Sequence, residues 1–166
     1  MGAAGGRGKA GGLNSVAADA HLKGLERLYA RAPVNQLFSS SLSLPERGRA
    51  EIRFEVTEAM FHAAGAAHGT IYFKMLDDAA FYAANSMVED QFVLTTQFNL
   101  FLTSPVKAGP LLAVGQWVSG QRRVLIAESR LLDPSGEEVA RGQGTFMRSR
   151  IQLKDLPGYV DARTDD

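Results

Sequence analysis

The chain contains no cysteine, which excludes disulfides, thiolate metal sites and a cysteine nucleophile together. It has no excess of either charge. Its 18 basic residues balance 18 acidic ones, so no global field draws it toward nucleic acid or an anionic membrane. No apolar run reaches the roughly 18 residues of a transmembrane helix. The opening stretch, MGAAGGRGKAGG, also lacks the apolar centre of a secretory signal. Histidine is scarce: His21, His62 and His68 show no ligand spacing, so no metal site is expected. These absences predict a cytoplasmic protein with neither nucleic-acid nor membrane partners.

What is present fits one domain, since 166 residues can bury a core without staples. Residues 1–14 are too rich in glycine and small residues to order themselves and read as a flexible leader. Residues 15–153 form the expected domain, and the charged residues 154–166 a loose tail. Leu22, Leu25, Leu28 and Tyr29 recur at helical spacing and predict a short covering helix over residues 16–31, ended by Pro33. Strict alternation then predicts strands over residues 39–44 and 51–57, paired as a hairpin. Further strands follow over residues 92–103, 111–119, 123–132 and 139–151, separated by turn residues and expected to be joined by hairpins. In the first of these, Thr96, Phe98, Leu100 and Leu102 are assigned one face and Thr95, Gln97, Asn99 and Phe101 the other.

Between the two groups of strands, residues 62–87 organise everything else. A run of small residues leads through His68-Gly69 into a helix that is apolar nearly all round, yet Asp77 and Asp78 sit in its middle. A buried carboxylate is costly unless partnered or able to reach water. Two consecutive aspartates point about 100° apart, so one can face solvent while the other enters a cleft. An antiparallel sheet needs one apolar face covered, and this helix is large enough to cover it. A helix apolar beyond that stripe also implies a further cover, most simply a second subunit.

The order of elements resembles the hotdog fold, an α+β arrangement in which an antiparallel sheet wraps one long central helix and the chains assemble as dimers or tetramers. His68-Gly69-Thr70 followed by six residues and Asp77 is similar to the His-Gly-Gly…Asp signature of the phenylacetate-pathway (PaaI-type) hotdog thioesterases. The continuation Asp77-Asp78-Ala79-Ala80-Phe81-Tyr82-Ala83-Ala84-Asn85-Ser86 and the later Ser104-Pro105 turn resemble the same family. The resemblance covers about residues 35–151. It implies an acyl-coenzyme A thioesterase with Asp77 as general base or nucleophile and Gly69 N–H as oxyanion donor. It further implies that Thr95 helps place the attacking water and that His68 shapes the turn. His62 stands where the family usually has asparagine, and Thr70 where it has a second glycine.

The chemistry stands beside the resemblance. Free N–H groups at a helix N-terminus suit a developing oxyanion. A carboxylate two turns along should be dominated by desolvation, which raises its pKa toward that of a useful base. Candidate substrate contacts are Phe81 for an acyl or aryl group, Asn85 on the same helix, and Arg148 and Arg150 for the phosphates of coenzyme A. No cofactor is expected beyond the coenzyme A carried by the substrate. The residues also admit a non-catalytic acyl-coenzyme A-binding module, or an enoyl-coenzyme A hydratase or dehydratase using a His/Asp pair.

Overall fold

The computed structural model describes residues 10–160, with side chains from residue 20 onward. Residues 1–9 and 161–166, the outer parts of the expected leader and tail, lie outside the described residues. Helix α1 (Ala10–Arg31) begins earlier than expected, so residues 10–14 of the leader run within it. Strands β1 (Ser40–Glu46) and β2 (Arg49–Val56) precede helix α2 (Gly69–Asn85). After it come β3 (Gln91–Leu102), β4 (Gly109–Ser119), β5 (Val124–Leu132) and β6 (Glu138–Gln152).

The expected hotdog architecture is present: one six-stranded sheet, ordered β1-β2-β4-β5-β6-β3 and antiparallel throughout, curls around α2. Alternation works as the sequence suggests. Ala50, Ile52, Phe54 and Val56 of β2 are buried, whereas Arg53 and Glu55 face solvent. Helix α2 buries Tyr72, Met75, Leu76 and every residue from 79 to 85. Its small side chains allow unusually close contact with the sheet. A Cβ at Gly115 of β4 would stand 2.0 Å from the Ala79 carbonyl oxygen, so glycine is required there.

Three expectations need correction. Strand β3 does not form a hairpin with β4; it pairs with β6 at the sheet edge, and the chain crosses over to reach β4. The Tyr72 hydroxyl donates to Ser104 O (3.0 Å) and accepts from Val106 N (2.8 Å), which carries the crossover loop over the start of α2. In β3 the register shifts between Thr95 and Gln97. This bulge turns Thr95 inward opposite buried Phe146, and Thr96 outward onto Thr145, reversing the faces expected for both. The tail is not loose as far as residue 159. The Tyr159 hydroxyl donates to Nδ1 of buried His21 (2.7 Å), and Arg27 holds the carbonyls of Gly158 and Tyr159. Helix α1 covers β1 and one flank of α2, with Leu25 and Tyr29 buried and the Tyr29 ring set edge-on to Tyr82.

Candidate functional site

The N-terminus of α2 is capped from within. His68 is the extended N-cap residue, and its Nδ1 accepts from the backbone N–H of Thr70 (3.2 Å) and lies 3.0 Å from Thr70 Oγ1. A backbone N–H can only donate, so the neutral ring carries its proton on Nε2. Thr70 is therefore folded back onto His68. Among the described residues no group accepts the Gly69 N–H, one of the four donors a helix start leaves without an intrahelical partner. Beside it is a pocket of about 240 Å³ lined by His62, Gly69, Tyr72, Leu102, Ser104 and Pro105. His62 accepts from Ala64 N (3.1 Å) and bonds through its own backbone to Gly65 and Ala66, which shapes the loop leading into the helix. Gly65 sits there at φ +76°, a conformation that favours glycine.

Two turns on, Asp77 meets Thr95. The Thr95 hydroxyl donates to the Asp77 carboxylate, 3.1 Å from Oδ1 and 3.3 Å from Oδ2, a contact the β3 bulge makes possible. Burial pushes the Asp77 pKa up to about 6; the Thr95 hydrogen bond opposes this, Asp78 adds to it and Lys74 opposes it. Asp78 takes the other direction around the helix. It forms an ion pair with Lys74, whose ammonium also donates to Asn35 Oδ1 (2.7 Å) under α1. Burial raises the Asp78 pKa and the Lys74 charge opposes that rise. Of the two aspartates, Asp78 is committed to a structural ion pair.

The structure thus brings His62, Gly69 and His68 together at one end of the helix, and Asp77 and Thr95 together further along. It does not bring the two groups together. Eight residues of helix separate Gly69 from Asp77 by about 12 Å, whereas an oxyanion donor and a base serving one carbonyl must each lie about 3 Å from the reacting atoms. The rigid spacing along α2 keeps them apart within a protomer.

The substrate-contact candidates fare differently. Asn85 is wholly buried: its Nδ2 donates to Val88 O and Gln91 O, and its Oδ1 accepts from Val93 N. Its amide ties the helix end to β3 and has no atom left for a substrate. Phe81 belongs to the core, packed against Tyr82, Phe92 and Phe146. Arg148 forms an ion pair with Asp90 (3.1 Å) and donates to Gln121 O, so it braces the strand ends. Arg150 is exposed near the end of β6. Sequence reasoning missed Tyr72 as a pocket residue. Its place three residues after Gly69, on the same helix face, was the available signal. A larger concavity, about 550 Å³ between Ser39–Ser41, Arg53 and Asp133, contains none of these residues.

Comparison with known proteins agrees with this fold. Residues 64–140 match the family model of the Thioesterase superfamily. The chain is similar in structure to the E. coli PaaI protein from the phenylacetic acid degradation operon, with a TM-score of 0.75 and 18% identity, covering 81% of this chain and 97% of that one. A thioesterase family protein from Silicibacter pomeroyi is similar at TM-score 0.71 and 26% identity, over 77% of this chain and 97% of its own. A Streptococcus mutans protein solved with acetyl CoA bound is similar at TM-score 0.61 and 22% identity, over 68% and 88% of the two chains.

Proposed function

We propose that this hotdog-fold chain, matched along its helix and following strands to the Thioesterase superfamily, hydrolyses an acyl-coenzyme A thioester. The observation that carries the reading is the half-buried Asp77–Thr95 pair, a carboxylate whose pKa near 6 suits a base at neutral pH. Water between Asp77 and the thioester loses a proton to the carboxylate as its oxygen attacks the carbonyl carbon. The resulting oxyanion accepts from a Gly69 N–H at a helix N-terminus. The tetrahedral species then collapses, the carbon–sulfur bond breaks, and the departing thiolate takes up the proton. Thr95 orients the carboxylate. His68 and Thr70 satisfy each other and leave Gly69 as the available donor.

Because one protomer separates its donor from its base, a second copy completes the site. Strand β3 is the natural seam, a twelve-residue edge exposing Leu94, Phe101 and Leu102. Such an edge invites pairing. Gly69 lies beside Leu102, and Asp77 beside Thr95. Antiparallel pairing of two β3 strands about Phe98 and Asn99 brings Thr95 and Asp77 of one protomer to the partner's Leu102 and Gly69. His62, beside Gly69, remains a candidate hydrogen-bond donor at the reacting end, and Arg150 the candidate for the phosphates of coenzyme A.

The test is thiol release from a panel of acyl-coenzyme A esters by the wild type and by Asp77→Ala. The expected loss is about 100-fold or more in kcat with the fold intact. Undiminished turnover by the variant removes Asp77 from the reaction. Tight binding of esters without turnover by the wild type makes the chain a binding module instead.

A further inference from the structure

Helix α2 places Gly69, Phe73, Asp77 and Phe81 at intervals of four residues, each beside the next along a slowly turning stripe. Toward the helix C-terminus that stripe is closed, because Phe81 packs against Phe92 at 5.1 Å and Phe146 at 6.1 Å between ring centroids. Toward the N-terminus it is open on the single protomer. Phe73, one turn before Asp77, is 42% exposed beside the β3 seam proposed for the partner, although the helix around it is largely buried. An apolar group attached to a carbonyl at Asp77 therefore has one direction in which to extend.

Phe73 meets Phe98 of β3 with ring centroids 5.7 Å apart and planes at 89°. Phe98 in turn lies on bare backbone. A Cβ at Gly142 would come within 2.4 Å and 2.6 Å of its ring atoms, and one at Gly144 within 2.5 Å. Glycine within a strand sacrifices packing and costs conformational entropy, so two at alternate positions of β6 call for a reason. They provide a trough into which the Phe98 ring sinks. Any side chain there would lift the ring toward Phe73, one turn from Asp77.

We infer that Phe73 and Phe98 form the wall that limits the length of the acyl group, and that Gly142 and Gly144 set how deep that wall lies. The inference rests on the hydrolase reading and adds to it a specificity determinant outside the reacting groups. Gly142 is the sharper probe: its nearest neighbours are ring atoms of Phe98, with Asn99 O at 3.2 Å, whereas Gly144 also meets the Gln97 carbonyl at 2.8 Å.

The experiment compares kcat/KM for dodecanoyl- and butanoyl-coenzyme A in wild type, Phe98→Ala, Gly142→Ala and the double variant. Removing the ring should raise the dodecanoyl-to-butanoyl ratio about ten-fold or more, and Gly142→Ala should lower it by a similar factor. The double variant should resemble Phe98→Ala, since the added methyl then has no ring to displace. Ratios within about two-fold of wild type in folded Phe98→Ala overturn the inference; Phe98→Leu, a milder truncation, decides the matter if the alanine variants do not fold. If the wild type releases no thiol from either ester, the hydrolase reading falls on its own. The same ratios are then measured as dissociation constants of the intact esters, where a shift supports the wall and an unchanged profile overturns it.

Discussion

At the scale of single residues, the candidate base is defined by what holds it as much as by its own chemistry. Asp77 was legible in the sequence because a carboxylate inside an apolar helix needs a reason. Its partner Thr95 was legible only through family resemblance, because simple alternation placed it on the wrong face of β3. The bulge that turns it inward inserts one unpaired residue, and period-two reading has no means of registering that. Asn85 misled for the opposite reason: a polar residue at a helix end reads as available until its three hydrogen bonds are seen. The Asp77–Thr95 contact also predicts the pH profile. With the Asp77 pKa at about 6, kcat/KM should rise with pH through about 6 and level off above it as the carboxylate ionises. The Thr95 hydroxyl stabilises the charged form, so Thr95→Val should move this acidic limb to higher pH. A pH–rate profile of the two proteins checks both the limb and its displacement. An unmoved limb in Thr95→Val would mean that the titrating group is not Asp77.

At the scale of elements, the strands were the most legible part, since alternation and turn residues bound them within a few positions. The connections were less so. Turn residues around residues 104–110 read as a hairpin, whereas the Tyr72 hydroxyl and an unpaired sheet edge make that segment a crossover. Docking of the tail on α1 was invisible because it depends on long-range contacts of His21 and Arg27 with Gly158 and Tyr159. His21 is held between Tyr159 OH and Ser86 O, the latter 3.1 Å from Nε2. Burial lowers its pKa; the Ser86 hydrogen bond opposes this, Arg47 reinforces it and Glu89 opposes it. The unfolded chain, with His at about 6.5, then binds more protons than the folded one in mildly acidic solution. Stability from this site is therefore full above about pH 6.5 and lost as pH falls below it. His21→Leu should be less stable than wild type by about 1–2 kcal/mol at pH 8, and this gap should narrow on acidification. Paired thermal melts across pH 5–8 measure it; a constant gap would show that His21 does not titrate with unfolding.

At the scale of the whole molecule, a surplus of apolar helix surface already implied a second subunit in the sequence. What it did not reveal is why catalysis would need one. That follows from the rise per residue of α2, which keeps each Gly69 about 12 Å from its own Asp77. A dimer sharing its sites makes a prediction that a self-sufficient protomer cannot meet. Gly69 is the first helical residue after the His68 cap, where proline is tolerated, so Gly69→Pro removes the N–H with little disturbance to the helix. Homodimers of Gly69→Pro and of Asp77→Asn should both be inactive. In a mixed dimer, however, the Asp77 of the first variant faces the Gly69 of the second, and one of the two sites is whole. Random reassociation of equal amounts should thus restore about a quarter of wild-type activity, since half the dimers are mixed and each has one working site. Thiol release measured after co-refolding or co-expression, with dimer formation checked by scattering, decides the point. If base and donor act within one chain, no mixture recovers activity, because every protomer then lacks one of the two groups.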